Sequence, residues 1–238
     1  MGPAARALTF WSASGLLALG LLAGCGGRTS APPPPASLSP AQKLYEEGRL
    51  ALQNDDPGKA LERFEAAAEL SDKEGSAEGL SSSLHAIAMV HVQEGRWREA
   101  TAHMERVLAL DRKTLEAAKR SGAAEAALHA AEAKIAGGLY DLARLHRRLG
   151  EPEAALARLQ EMLAIDLRLK RERGAAITHN NIGRLLLALD RLDEAEKHYH
   201  EALGLFEKLK DADRADEVRR GLEFLGLLRR RAGQAPSR

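Results

Sequence analysis

Leu192-Asp193-Glu194-Ala195-Glu196-Lys197-His198-Tyr199-His200-Glu201-Ala202 carries the pattern that decides the fold. An alanine is followed by an aromatic residue four positions later and by a second alanine three beyond it, so all three share one helix face. The same arrangement stands earlier at Gly58-Lys59-Ala60-Leu61-Glu62-Arg63-Phe64-Glu65-Ala66-Ala67. Two further stretches fill the slots with other apolar residues: Ala100, Met104 and Val107, then Ala155, Leu159 and Met162. Twelve residues before the anchoring alanines Ala60, Ala100, Ala155 and Ala195 lie Gly48, Ala88, Ala143 and Gly183. Each is small enough for two helices to approach closely. Just before them stand Glu47, Ile87, Leu142 and Ile182, so the first unit departs from an otherwise apolar slot. Repetition at this spacing implies stacked helix pairs.

The composition agrees. From Pro40 onward the chain is rich in Ala, Leu, Glu and Arg, all strong helix formers, and aromatic residues are only 4% of the whole. The fold class is all-α. Turn signals fall at Asn54-Asp55-Asp56-Pro57-Gly58, Glu94-Gly95, Leu149-Gly150-Glu151-Pro152 and Leu189-Asp190-Arg191. Pro57 after Asp56 reads as a capped helix start, and Pro152 after Glu151 as a start without the usual cap residue.

These residues resemble the tetratricopeptide repeat, with the alanine-aromatic-alanine segments as its second helix and Gly48, Ala88, Ala143 and Gly183 in its first. The intervals between anchoring alanines are 40, 55 and 40 residues, longer than the usual 34. They are similar to the kinesin light chain variety, whose first helix Thr178-His179-Asn180-Asn181-Ile182-Gly183-Arg184-Leu185-Leu186 matches closely. The consensus prolines and first tryptophan are absent. The resemblance implies a helical solenoid over residues 41–210, with units near 41–74, 81–114, 136–169 and 176–209. The long interval predicts an extended or inserted helix near 115–135. Residues 211–238 are expected to hold a capping helix and tail, with Val218, Leu222, Leu225 and Leu228 turned inward to close the stack.

At the other end, Leu22-Ala23-Gly24-Cys25 closes an apolar run that follows Arg6 and contains the single cysteine. The run from Leu8 to Ala23 is shorter than the roughly 20 residues of a membrane span and reads as a secretory signal. The four residues resemble the lipobox of bacterial lipoproteins, which implies a signal peptide over 1–24 and a covalent lipid on Cys25. A plain signal peptide cleaved near Ala23 is the alternative. Residues 25–40, with prolines at 32–35, read as an extended tether of about 3.1 Å per residue where proline-rich. An SH3-type ligand is the other reading of the prolines. By resemblance to lipoprotein sorting, Gly26 after the cysteine favours the periplasmic face of the outer membrane.

Loss of residues 1–24, whose one charge is Arg6, leaves a formally neutral chain. That balance argues against nucleic-acid binding, which needs a basic patch. The sequence holds no zinc HExxH pair, P-loop, dinucleotide fingerprint or nucleophile elbow. His198 and His200, two apart on a helix, point about 200° apart and do not share a metal, and both read as solvated or groove-edge side chains. The chain is therefore expected to be no enzyme, with neither metal nor any cofactor besides the lipid.

What a repeat solenoid offers is a concave groove lined by its first helices. Aligning the units puts Tyr45, His85, Tyr140 and Asn180 in one row, and Arg49, Met89, Arg144 and Arg184 in a row one turn later. By resemblance to repeats that clamp peptide carboxylates, these residues and Asn181 imply a groove for a carboxylate-bearing segment of an envelope protein. The second unit has Ala86, and the first Glu46, where the clamp asparagine would stand. Solvated arginines on a charged helix face are the bland alternative. Two function classes follow: a membrane-anchored interaction scaffold or assembly factor, or a structural lipoprotein that packs on itself as a homo-oligomer.

Overall fold

The computed structural model describes residues 38–233, with side chains to Arg231. The signal peptide, Cys25, most of the proline-rich tether and the tail 234–238 lie outside the described residues. Within them the chain is helical throughout: α1 (Pro40–Gln53), α2 (Pro57–Lys73), α3 (Ala77–Gln93), α4 (Trp97–Arg120), α5 (Glu125–Leu149), α6 (Pro152–Arg168), α7 (Glu172–Ala188), α8 (Leu192–Lys208) and α9 (Ala212–Gly233). None of these helices is long and apolar enough to cross a membrane.

Helix starts follow the local chemistry. Ser39 and Gln42 form a reciprocal capping box on α1, and the Asp56 carboxylate accepts the Lys59 amide at 3.0 Å ahead of Pro57. Glu151 gives α6 no side-chain cap; it meets His146 Nδ1 at 2.8 Å instead. All eight joints use one turn type. A left-handed residue stands in each, namely Asp55, Gly75, Gly95, Gly122, Gly150, Lys170, Asp190 and Lys210. The following residue's amide reaches back to a carbonyl five positions earlier, as Asp56 does to Ala51 and Arg171 to Asp166. The chain thus reverses eight times with the same geometry, and successive helices stack antiparallel.

The repeat residues form the core. Ala60, Phe64 and Ala67, and Ala195, Tyr199 and Ala202, are buried, as are their counterparts on α4 and α6. The small residues opposite them are needed: a Cβ at Gly48 would stand 2.7 Å from the Phe64 ring, and one at Gly183 would stand 2.9 Å from Tyr199. Glu47, in the exceptional slot of the first unit, is exposed and meets Arg63 at 3.4 Å.

The long interval resolves as growth of two existing helices rather than an inserted one. α4 and α5 have 24 and 25 residues, against 17 in α2, α3, α6, α7 and α8. They meet at a turn around Ser121 and Gly122, and Leu115 of α4 and Ile135 of α5 join the same core cluster. Residues 115–135 are therefore divided between the end of α4 and the start of α5.

α9 packs on α8 and touches α7. Val218 and Leu225 are buried, whereas Leu222 and Leu228 are half-buried rather than fully inward. Gly183 and Glu223 are each the twelfth residue of their helix. An exposed glutamate thus stands on α9 where the units carry a buried glycine or alanine.

Candidate functional site

The first helices of the units, α1, α3, α5 and α7, form one layer with α9, and α2, α4, α6 and α8 form the other. Contacts within a layer join α1 to α3 and α7 to α9, and none joins two helices of the second layer. The first layer is therefore the more crowded, inner side. The backbones of α3 and α5, like those of α5 and α7, stay apart, and α3 and α5 both pack on the lengthened α4; they meet only through side chains, Lys134 with Ser81 at 3.0 Å and His85 with Asp141 at 3.8 Å. A slot opens between them.

Two adjoining cavities of about 440 and 390 Å³ fill this slot and share Met104 and Asp141. Gly137 and Gly138 on α5 line the second; a Cβ at either would meet nothing within 4 Å. Glycine inside a helix costs roughly 0.5–1 kcal/mol relative to alanine. No neighbouring atom requires either one, and both face open space in the slot. Beside them a polar cluster ties three helices together. Ser81 on α3 donates to Asp111 Oδ1 on α4 at 2.9 Å, and Lys134 Nζ on α5 donates to Asp111 at 2.8 Å and to Ser81 Oγ at 3.0 Å.

The other end of the slot is apolar below and cationic above. Met89, Val92, Trp97 and Leu145 line it, with Arg144, Arg147 and Arg148 at its rim. The Arg148 guanidinium lies 5.6 Å from the centre of the Trp97 ring, in cation–π range. Neither Arg147 nor Arg148 has a carboxylate partner among the described residues.

The residues expected from the aligned rows are distributed unevenly. Tyr45, His85, Met89 and Arg144 line the two cavities, and Tyr140 lies 5.9 Å below the Arg144 guanidinium. Asn180, Asn181 and Arg184 sit on α7, outside the slot. The three expected arginines already face carboxylates: Arg49 meets Glu46 at 2.8 Å, Arg144 meets Asp141 at 3.7 Å, and Arg184 meets Glu217 at 3.1 Å. Sequence reasoning missed Trp97, Arg147 and Arg148. The doublet Gly137-Gly138 inside an alanine-rich helical run was the available signal.

This geometry is a known one. Family models described as tetratricopeptide repeat match residues 40–113 and 176–209. The chain is a tetratricopeptide-repeat protein. Among solved structures, the apo form of RapI superposes with a TM-score of 0.67 at 16% identity, covering 80% of this chain and 49% of RapI. The chain thus spans about half of RapI's length. Kinesin-light-chain-type TPR-like repeats from Podosopora anserina superpose with a TM-score of 0.53 at 17% identity, over 81% of this chain and 96% of theirs. MamA gives a TM-score of 0.50 at 16% identity, over 72% and 81%. At these identities the likeness is one of fold. No curated protein matches the sequence.

A second cluster of titratable groups lies between the repeat helices. His198, expected to be solvated or at a groove edge, instead turns into the α7–α8 contact, where its Nδ1 lies 3.0 Å from Nδ1 of His179. On α3 and α4, His91 and His103 stack with ring centres 5.3 Å apart. Burial holds all four below the usual histidine range. Arg96 and Arg106 reinforce this in the first pair, His91 lowers His103 and His198 lowers His179, while Glu65, Glu99, Glu194 and Glu201 oppose it. The unfolded chain therefore binds protons that the repeat protein refuses. Stability should be full above about pH 6.5 and decline as pH falls through the depressed folded values. Urea midpoints measured from pH 8 to 5 test this, and His179→Phe should flatten part of the decline. An identical slope in that variant overturns the assignment.

Proposed function

We propose that this protein is a lipid-anchored interaction scaffold of the bacterial envelope, and that the slot between α3 and α5 holds a segment of a partner protein. One observation carries the reading: a slot lined on one side by Gly137 and Gly138, with Met89 and Trp97 as its apolar lining at the other end and two arginines without carboxylate partners beside them. Tetratricopeptide solenoids are interaction architectures whose inner surface binds, which supports the coarse assignment. The free guanidiniums favour a segment that presents carboxylates beside an apolar side chain, since arginine's planar fork takes both oxygens of a carboxylate. Arg49, Arg144 and Arg184 remain candidates for the same segment, each by exchanging its present carboxylate for the partner's. Cys25 supplies the anchor, and two or more acyl chains there give stable attachment where one is marginal.

A photo-crosslinking residue at Met89, in cells of the host, tests the slot. A heterologous adduct is expected in the parent protein and should be lost when Arg147→Ala and Arg148→Ala are combined. An adduct unaffected by that double change, or one consisting only of the protein linked to itself, refutes the reading. In the same cells Cys25→Ala is expected to abolish palmitate labelling and release the protein from membranes.

A further inference from the structure

α9 carries a face that closing the stack does not explain. Phe224 and Leu227 are about half exposed, at 51% and 50%, although Val218 and Leu225 on the opposite side are buried. Arg220, Phe224, Leu227 and Arg231 follow each other at intervals of four, three and four residues, which aligns them in one stripe along the helix. Neither α7 nor α8 covers the two apolar side chains.

The charge around the stripe is one-sided. From Phe224 to the end of the chain there is no aspartate or glutamate. Arg229 is spent within the fold on Glu196, at 2.8 Å, and on Asp193. Arg220, Arg230 and Arg231 have no carboxylate partner among the described residues. Upstream, Asp216 pairs with Arg219 and Glu217 with Arg184, which leaves Glu223 as the exposed carboxylate beside the stripe. Glu223 itself, with Leu222, Gly226, Leu227 and Arg230, borders a shallow hollow there.

We propose that the C-terminal half of α9 is a contact for an anionic lipid surface. Phe224 and Leu227 enter the boundary between headgroups and acyl chains, and Arg220, Arg230 and Arg231 pair with the headgroups. Apolar side chains flanked by free arginines on one helix face suit that interface, where burial of apolar area and attraction to anionic lipid add. A protein partner for the same stripe would need carboxylates set around an apolar hollow; a lipid surface supplies negative charge and an apolar layer without matching shape. The contact is separate from the slot and from Cys25, and it would fix which way an anchored solenoid faces.

The test uses the full chain with Cys25→Ala and Phe224→Cys, labelled at residue 224 with the environment-sensitive fluorophore NBD. Vesicles of equal phosphatidylglycerol and phosphatidylcholine are expected to shift the emission to the blue, and vesicles of phosphatidylcholine alone are not. Adding Arg230→Glu and Arg231→Glu should raise the lipid concentration needed at least about tenfold. The same fluorophore at Leu50→Cys on α1, an equally exposed leucine at the other end of the stack, should not respond. Absence of a shift at residue 224, an equal shift at residue 50, or indifference to the charge reversals each overturns the proposal. A shift that grows with protein concentration without lipid assigns the face to a second copy of the chain and also overturns it.

Discussion

Tyr199→Ala is expected to lower the unfolding free energy by about 3–5 kcal/mol, the range for deleting a large buried aromatic ring. The upper part of that range applies because backbone bounds the space that would be left. Gly183 on α7 and Gly221 on α9 face the ring, and a Cβ on them would stand 2.9 and 3.1 Å from its carbons. Neither glycine has a side chain to send into the void. One ring thus joins three successive helices, and its loss loosens α9 as well as the α7–α8 pair. Phe64 differs: it faces Gly48 on one side and the half-buried Tyr45 at 5.3 Å on another. Tyr45 is free to lean into the vacated space, so Phe64→Ala should cost less. Urea unfolding of the two variants measures the difference. A Tyr199→Ala loss below about 2 kcal/mol, or an equal loss at Phe64, overturns the three-helix account.

The repeat was legible because its residues are fixed by contact. A glycine against an aromatic ring leaves few alternatives, so Gly48 and Gly183 recur at a fixed twelve residues before Ala60 and Ala195 and could be picked out from spacing alone. The slot was not legible in the same way. It lies where the backbones of α3 and α5 stay apart and only side chains meet, a matter of helix placement that no single residue encodes. The aligned rows predicted cations at Arg49, Arg144 and Arg184, but alignment is blind to neighbours such as Glu46, Asp141 and Glu217 that engage them. His198 illustrates the same blindness. Angular spacing correctly separated it from His200, yet the histidine it meets lies on another helix, nineteen positions away.

Gly174→Ala should cost about 1–3 kcal/mol as an overpacked site, although the same change in an open helix position stabilises by roughly 0.5–1 kcal/mol. A Cβ there would stand 2.8–2.9 Å from the carboxyl group of Asp166, which is fully buried at the junction of α6 and α7. That group has no room to yield. The Thr178 hydroxyl lies 3.1 Å from its Oδ2, the Arg171 guanidinium lies 3.3 Å from its Oδ1, and the Arg171 amide holds the Asp166 carbonyl at 2.8 Å. Burial raises the Asp166 pKa, against the pull of Arg171 and Thr178, so the junction is strongest at acid pH and weakens as pH rises through the raised value. Asp166→Ala removes both the ionised group and the obstacle. In that background Gly174→Ala should become neutral or stabilising, and the double-mutant cycle should return a coupling of about 1–3 kcal/mol. Additive losses, with Gly174→Ala equally harmful in both backgrounds, would show that the close approach to Asp166 is not what requires glycine at this junction.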